Sequence, residues 1–95
     1  MSFTFPNYEL TTLLDLNENI QFADSICDYL NRVTTSSKFT HDSVPDAGAL
    51  TKRILKDDIC ICSWSFVNWE PLDKLYDRIL KTIKREELLF KLELL

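Results

Sequence analysis

The sequence predicts a mainly α-helical protein, folded as a compact bundle of about four helices, and three observations lead to this prediction. Hydrophobic residues make up 45% of the 95 residues, enough apolar material for one core, so residues 1–95 are expected to form a single domain. The chain holds one glycine and three prolines, too few for the tight turns that a barrel or sandwich requires. Several segments repeat apolar residues at helical spacing. An α+β fold with a small two- or three-stranded sheet is the alternative.

The N-terminal third predicts a short extended arm followed by two helices. Residues 3–5 alternate aromatic and polar side chains before a proline, a pattern typical of an edge strand. A short helix is expected over residues 7–17 and should end at the polar run 17–19. A longer helix is expected over residues 20–33, with Asn19 as its N-cap and a wide apolar stripe facing the core.

The middle of the chain predicts a loop and a third helix. Residues 34–45 are mostly polar and contain Phe39 and the one histidine, His41, and we interpret them as a long connection. Residues 46–56 have apolar residues at helical spacing and basic residues near the end. This pattern predicts a helix capped by Asp46.

The last part of the chain predicts a strand and then the clearest helix. Residues 59–67 are β-branched and aromatic and apolar on both faces, which favours a buried strand over a helix. A helix should begin after Asn68 and bury one stripe of its surface. The central positions of this stripe are Leu75, Ile79 and Ile83. Residues 88–95 fit either a strand or a continuation of this helix.

Acidic and basic residues are unevenly distributed along the chain. The net charge is −4, but residues 1–50 hold seven acidic residues against Arg32 and Lys38, whereas residues 51–95 hold nine basic and eight acidic residues. An acidic protein lacks the dense basic surface that phosphate contacts need, so we expect no nucleic-acid partner. The sequence contains no run of about 18 apolar residues, so we expect no membrane span and no membrane partner.

The three cysteines predict packing residues in a reducing compartment, which we take to be the cytoplasm. Cys27 falls on a helix stripe, and Cys60 and Cys62 lie within an apolar run, where cysteine behaves as a small hydrophobe. Zinc sites usually place two residues between paired cysteines. The N terminus lacks a signal-peptide pattern. We therefore expect no disulfide framework, no metal and no cofactor.

Residues that could carry catalysis are sparse. His41, Asp42 and Ser43 are neighbours in sequence, and neighbours cannot adopt the geometry of a catalytic triad. Cysteines in apolar surroundings hold the thiol form and are poor nucleophiles. One glycine leaves no room for a glycine-rich phosphate loop. We expect no enzymatic activity and no small-molecule substrate.

Two groups of residues are candidates for contact with a partner. Four cations on the last helix recur at helical spacing and form a line that can steer association with an acidic surface: Lys74, Arg78, Lys81 and Arg85. The acidic surface belongs to another protein or to Asp24 and Asp28 of a second copy. Three aromatic residues suit the centre of an interface: Phe39, Trp64 and Trp69. The alternative interpretation of the cations is a solvated face. The alternative interpretation of the aromatic residues is a place in the core.

These observations predict a protein–protein interaction module, either an adaptor or an assembly domain, that binds a protein partner or itself. In size and charge polarity alone it compares with assembly domains of the death fold. The alternative is a small stoichiometric inhibitor, such as an immunity or anti-defence protein, which presents an acidic surface to a larger target.

Overall fold

The computed structural model describes residues 16–46, 49–65 and 72–94 of the chain. They form two helices and three strands in the order helix, strand, strand, strand, helix. The elements are α1 (Leu16–Val33), β1 (Phe39–Asp46), β2 (Ala49–Lys56), β3 (Ile59–Ser65) and α2 (Leu72–Glu93).

The three strands form one antiparallel sheet in the order β1-β2-β3. Helix α1 packs against β1 and β2, and helix α2 packs against β3 and α1. The core lies between the helices and the sheet, and its largest fully buried side chains include Phe22, Leu30, Ile54 and Ile79. The protein is therefore a two-layer α+β fold, in which each helix buries one apolar stripe on the sheet.

The predicted four-helix bundle is wrong, because residues 39–56 form a β-hairpin instead of a loop and a helix. Burial in β2 alternates with a period of two from Thr51 to Ile54, and its side chains facing the helices include Lys52 and Ile54, both buried. Because a lysine occupies a core position, the apolar residues of β2 do not show this alternation in the sequence. Strand β1 contains a proline and two aspartates, which are depleted in strands.

The predicted helix break at residues 17–19 is also wrong, because α1 runs through them from Leu16. Asn19 lies inside the helix, fully buried, and is not its cap. Its Oδ1 accepts a hydrogen bond of 2.7 Å from Nε1 of Trp64 on β3. The bond satisfies two polar groups that would be costly to bury without partners. A tertiary contact thus accounts for an asparagine that in sequence resembles a cap.

Other expectations in the second half of the chain are confirmed. The segment starting at Ile59 is a strand, and α2 buries Leu75, Ile79 and Ile83. Of the two alternatives left open for residues 88–95, the structure shows the helix, which continues to Glu93. The strand is irregular where it pairs with β2, and Cys60 is exposed instead of buried. The predicted arm and the short helix up to residue 15 lie outside the described residues.

The turn between β2 and β3 offers a first test of the fold. Asp57 and Asp58 have φ values of 49° and 69°, in the left-handed region that favours glycine. Asp57 is also held by its side chain, because its Oδ1 accepts a 2.9 Å hydrogen bond from the backbone N–H of Lys38. We expect Asp58→Gly to raise the free energy of unfolding by about 0.5–1 kcal/mol, since it removes the steric cost of a positive φ. Urea unfolding measures this change, and Asp57→Gly is the control, which should gain less because it loses the bond to Lys38.

An ion pair on the open face of the sheet makes stability depend on pH. Arg53 donates through Nε to Oδ1 of Asp42 at 2.7 Å and through its terminal nitrogen to Oδ2 at 2.5 Å. These hydrogen bonds lower the pKa of Asp42 below its usual value. A carboxyl whose pKa is lower in the folded protein stabilises it above the unfolded-state pKa of about 4, and this contribution disappears as the pH falls below that value. We therefore expect urea unfolding at pH 3, about one unit below that pKa, to show a smaller loss of stability in Asp42→Asn than in the wild type. An equal loss in both proteins would contradict this role.

Candidate interaction surface

Three carboxylates in the second half of α2 are bound by other parts of the molecule. Glu86 is bound by Lys56 at 2.7 Å, Glu87 by the hydroxyl of Tyr29, and the exposed Glu93 by the hydroxyl of Ser36 at 2.8 Å. Glu86 is 4% exposed. The contacts attach the end of α2 to α1, to β2 and to the residues that follow α1. The exposed residues of the helix still include the carboxylates Asp73 and Asp77.

The predicted line of cations lies on the opposite, exposed side of α2. Lys81 pairs with Asp77 one turn earlier at 3.0 Å, and Arg78 donates to the backbone carbonyl of Ser63 on β3 at 3.2 Å. Within the described part of the chain, Arg85 makes no ion pair. An exposed pair such as Lys81–Asp77 contributes little and opens readily, so this side of α2 presents positive charge to solvent.

Three leucines extend this line of cations towards the end of α2. Leu88, Leu92 and Leu89 are 57%, 55% and 39% exposed. Beginning with Lys74, six exposed residues follow each other at alternating intervals of four and three residues: Lys74, Arg78, Lys81, Arg85, Leu88 and Leu92. We call these six residues the outward seam of α2, and Leu89 lies beside it. The spacing matches the heptad repeat through which one helix contacts another.

The predicted acidic residues Asp24 and Asp28 are exposed on α1. Oδ1 of Asp24 lies 2.5 Å from Nε2 of His41 on β1. The exposed side of α1 is polar along the described helix and is formed by Gln21, Asp24, Asp28, Asn31 and Arg32. Among residues 19–33, this side of α1 carries no apolar residue that could pack against the leucines of the outward seam.

The predicted aromatic residues do not form an exposed cluster. Phe39 and Trp64 are 2% and 3% exposed and belong to the core, where the ring of Trp64 lies 5.5 Å from that of Phe22. Trp69 lies outside the described residues. Phe39 and Trp64 therefore stabilise the fold and are not part of the candidate surface.

Two buried reactive side chains lie between α1 and β2. Burial, together with the nearby carboxylates, raises the pKa of Cys27 to about 12, so the thiol stays protonated at neutral pH. Lys52 is 3% exposed, and burial lowers the pKa of its ammonium group. Its one hydrogen bond in the described residues is to Oγ of Ser43 at 3.3 Å. These residues have the character of core positions, since neither is accessible to a substrate.

A groove of about 340 Å³ lies between the C-terminal ends of the two helices. It is lined by Tyr29, Val33, Glu87, Phe90, Lys91 and Leu94. Burial and the bond to Glu87 raise the pKa of Tyr29 to about 12, so its hydroxyl remains a donor at neutral pH.

Among the described residues no group of three His, Cys, Asp or Glu side chains is placed to hold a metal ion. In the same residues, neither helix is long and apolar enough to cross a membrane.

Comparisons with known proteins give no family for this chain: no family model, curated protein or solved structure matches it. The exposed leucines were not among the residues expected to contact a partner. Their signal was nevertheless present in the sequence, because Leu88 and Leu92 continue the spacing of Lys81 and Arg85.

Proposed function

We propose that this protein is a protein–protein interaction module, an adaptor or assembly domain, whose outward seam binds a helix of a partner protein. One observation carries the proposal: cations and leucines lie together in one line on the exposed side of α2, while Glu86 and Glu87 of the same helix are bound by Lys56 and Tyr29. A side needed only for solubility would avoid grouped leucines.

The order of residues along the outward seam favours a helix as the partner. The cations occupy the first part of the line and Leu88 and Leu92 the last part, so an elongated partner must offer acidic side chains and then apolar ones. An amphipathic helix lying along α2 meets this requirement. In a helix that lies on a membrane, the cations flank the apolar stripe instead of continuing it along the axis. The arrangement therefore favours a protein partner.

Residues 19–33 of α1 favour a partner helix from a different protein. Over these residues, the exposed side of α1 in a second copy offers Asp24 and Asp28 to the cations but no apolar residue to Leu88 and Leu92. An inhibitor that acts through an acidic surface has less support, because Asp24 is already next to His41 and Asp42 is bound by Arg53.

Affinity purification from the source cells tests this proposal with a matched pair of variants. We expect Lys81→Glu with Arg85→Glu to lose the partner that the wild type retains, because like charges then face each other across the contact. The control is Lys84→Glu with Lys91→Glu, which makes the same change of charge on the same helix. Both control residues are exposed but lie outside the outward seam, so this variant should retain the partner.

The comparison between the two variants decides the outcome. A partner lost from the seam variant and retained by the control supports the proposal. A partner lost from both, or retained by both, would show that binding depends on net charge or on another surface. Urea unfolding should give both variants a stability within about 1 kcal/mol of the wild type, since exposed charges contribute little to folding.

A further inference from the structure

The backbone of β1 shows which of its groups face away from the sheet. Asn31 on α1 binds both backbone groups of Phe39: its Nδ2 donates to the carbonyl at 2.8 Å, and its Oδ1 accepts from the N–H at 2.8 Å. Both groups of Phe39 therefore point away from β2. In an antiparallel ladder this direction alternates along the strand. The backbone groups of His41 and Ser43 consequently also point outward, at the edge of the sheet.

On either side of His41 and Ser43, the edge of β1 offers fewer free backbone groups for pairing. Asn31 occupies the outward groups of Phe39, and Pro45, the next outward position after Ser43, has no N–H to donate. Among the described residues, nothing hydrogen-bonds the backbone of His41 or Ser43 on this side. Two consecutive outward positions on β1 thus remain open for pairing.

The other edge of the sheet is protected differently. On β3 the outward carbonyl of Ser63 accepts a hydrogen bond from Arg78 of α2 at 3.2 Å. Proteins commonly cover or block edge strands, because an open row of N–H and C=O groups pairs with other strands. Arg78 thus occupies one outward group of β3, whereas His41 and Ser43 offer four consecutive outward groups on β1.

We propose that β1 pairs antiparallel with β1 of a second copy, with His41 of each chain opposite Ser43 of the other. In this register the two residues of each strand exchange their outward N–H and C=O groups in full. A shift by one pairing step would require either Phe39, which Asn31 already binds, or Pro45, which cannot donate. The open edge therefore complements itself in one register.

The side chains on the open face of the sheet are compatible with this register. Thr40 lies opposite Val44 of the second copy, and two β-branched residues form a favourable cross-strand pair. Asp42 lies opposite Asp42 at the two-fold axis, a like-charge pair that is unfavourable by itself, but each carboxylate remains neutralised by Arg53 of its own chain. The pairing joins two three-stranded sheets into one sheet of six strands.

This inference goes beyond the proposed function and does not depend on it. The outward seam belongs to α2, which packs on β3 at the far side of the sheet from β1. A dimer formed through β1 would carry two seams and could bring two partner helices together. Backbone hydrogen bonds are not screened by salt, whereas seam binding is. Dimerisation that persists in about 0.5 M salt is therefore separable from partner binding.

Amide hydrogen exchange on the wild-type protein tests the pairing without any substitution. The amides of Thr40 and Asp42, which face β2, should be protected at every concentration. The amides of His41 and Ser43 should exchange at least about tenfold more slowly when the concentration rises from about 5 µM to about 500 µM. Exchange at these two amides that does not change with concentration would overturn the proposal.

Paired charge variants then test the register. Thr40→Lys with Val44→Lys places like charges opposite each other in a homodimer, and Thr40→Asp with Val44→Asp does the same with the opposite sign. We expect each variant alone to sediment as a monomer and an equal mixture to form a heterodimer. Homodimers as stable as the wild-type dimer, or a mixture that stays monomeric, would show that β1 does not pair in this way. A wild-type protein that stays monomeric but adds an extended peptide at β1 would also overturn it.

Discussion

Replacing Ile79 with alanine should lower the free energy of unfolding by about 2–4 kcal/mol, because the change removes buried methyl and methylene groups and leaves a cavity. Ile79 is 1% exposed at the centre of the α2 stripe, between Leu75 and Ile83, and it belongs to the core formed by both helices and the sheet. The Ile79 side chain is therefore enclosed on all sides, and its removal leaves a cavity that solvent does not fill. A domain of this size has a total stability of about 5–15 kcal/mol, so the loss is a large share of it.

Urea unfolding measures this effect, with Lys84→Ala as the control on the same helix. Lys84 is exposed, so its replacement should change stability by less than about 0.5 kcal/mol. A loss below about 1 kcal/mol for Ile79→Ala would mean that the side chain is not fully enclosed. The stripe that attaches α2 to the sheet would then need to be reassigned, and with it the side of α2 that faces solvent.

Replacing Leu88 and Leu92 with glutamate should weaken partner binding by at least about 100-fold, since burial of a leucine side chain contributes about 1.5–3 kcal/mol. Both leucines are more than half exposed in the free protein. Glutamate has a high helix propensity, so folding should change by no more than about 0.5 kcal/mol. The substitution in the core should thus lower stability, whereas the substitutions on the outward seam should lower partner binding and leave stability nearly unchanged.

The control for this variant removes two exposed apolar side chains from the sheet. Leu50→Glu with Ile59→Glu makes the same chemical change at positions that are 40% and 69% exposed. Partner binding should be retained in this control, as measured by calorimetric titration with the purified partner. Equal losses in the two variants would point to a general effect of surface hydrophobicity and against a specific contact at the seam.

The helices could be predicted from the sequence better than the strands. The stripe with Leu75, Ile79 and Ile83 follows the helical period without interruption, so both the existence and the buried side of α2 were predicted correctly. Strand β2 consists largely of residues with high helix propensity, and its buried Lys52 breaks the apolar alternation. Pairing between β1 and β2 overrides these local preferences, and a single sequence does not reveal that pairing.

The candidate surface could be predicted in part. The cations from Lys74 to Arg85 were recognised because their spacing is visible without any knowledge of the fold. Leu88 and Leu92 were not, because leucine is ordinarily assigned to a core and the side on which it lies depends on where α2 ends. The inward position of Glu86 and Glu87 follows from contacts with Lys56 and Tyr29, which are distant in sequence. The position of these two carboxylates is therefore a property of the folded protein.

The most direct test of the proposed function is the dissociation constant of the purified partner for two proteins at two salt concentrations. The proteins are the wild type and the variant Lys81→Glu with Arg85→Glu, measured at about 0.05 M and about 0.5 M salt. We expect tight binding by the wild type at low salt, at least about tenfold weaker binding at high salt, and no measurable binding by the variant at low salt. If the variant binds as tightly as the wild type at low salt, the cations form only a solvated face and the outward seam is not the site of interaction.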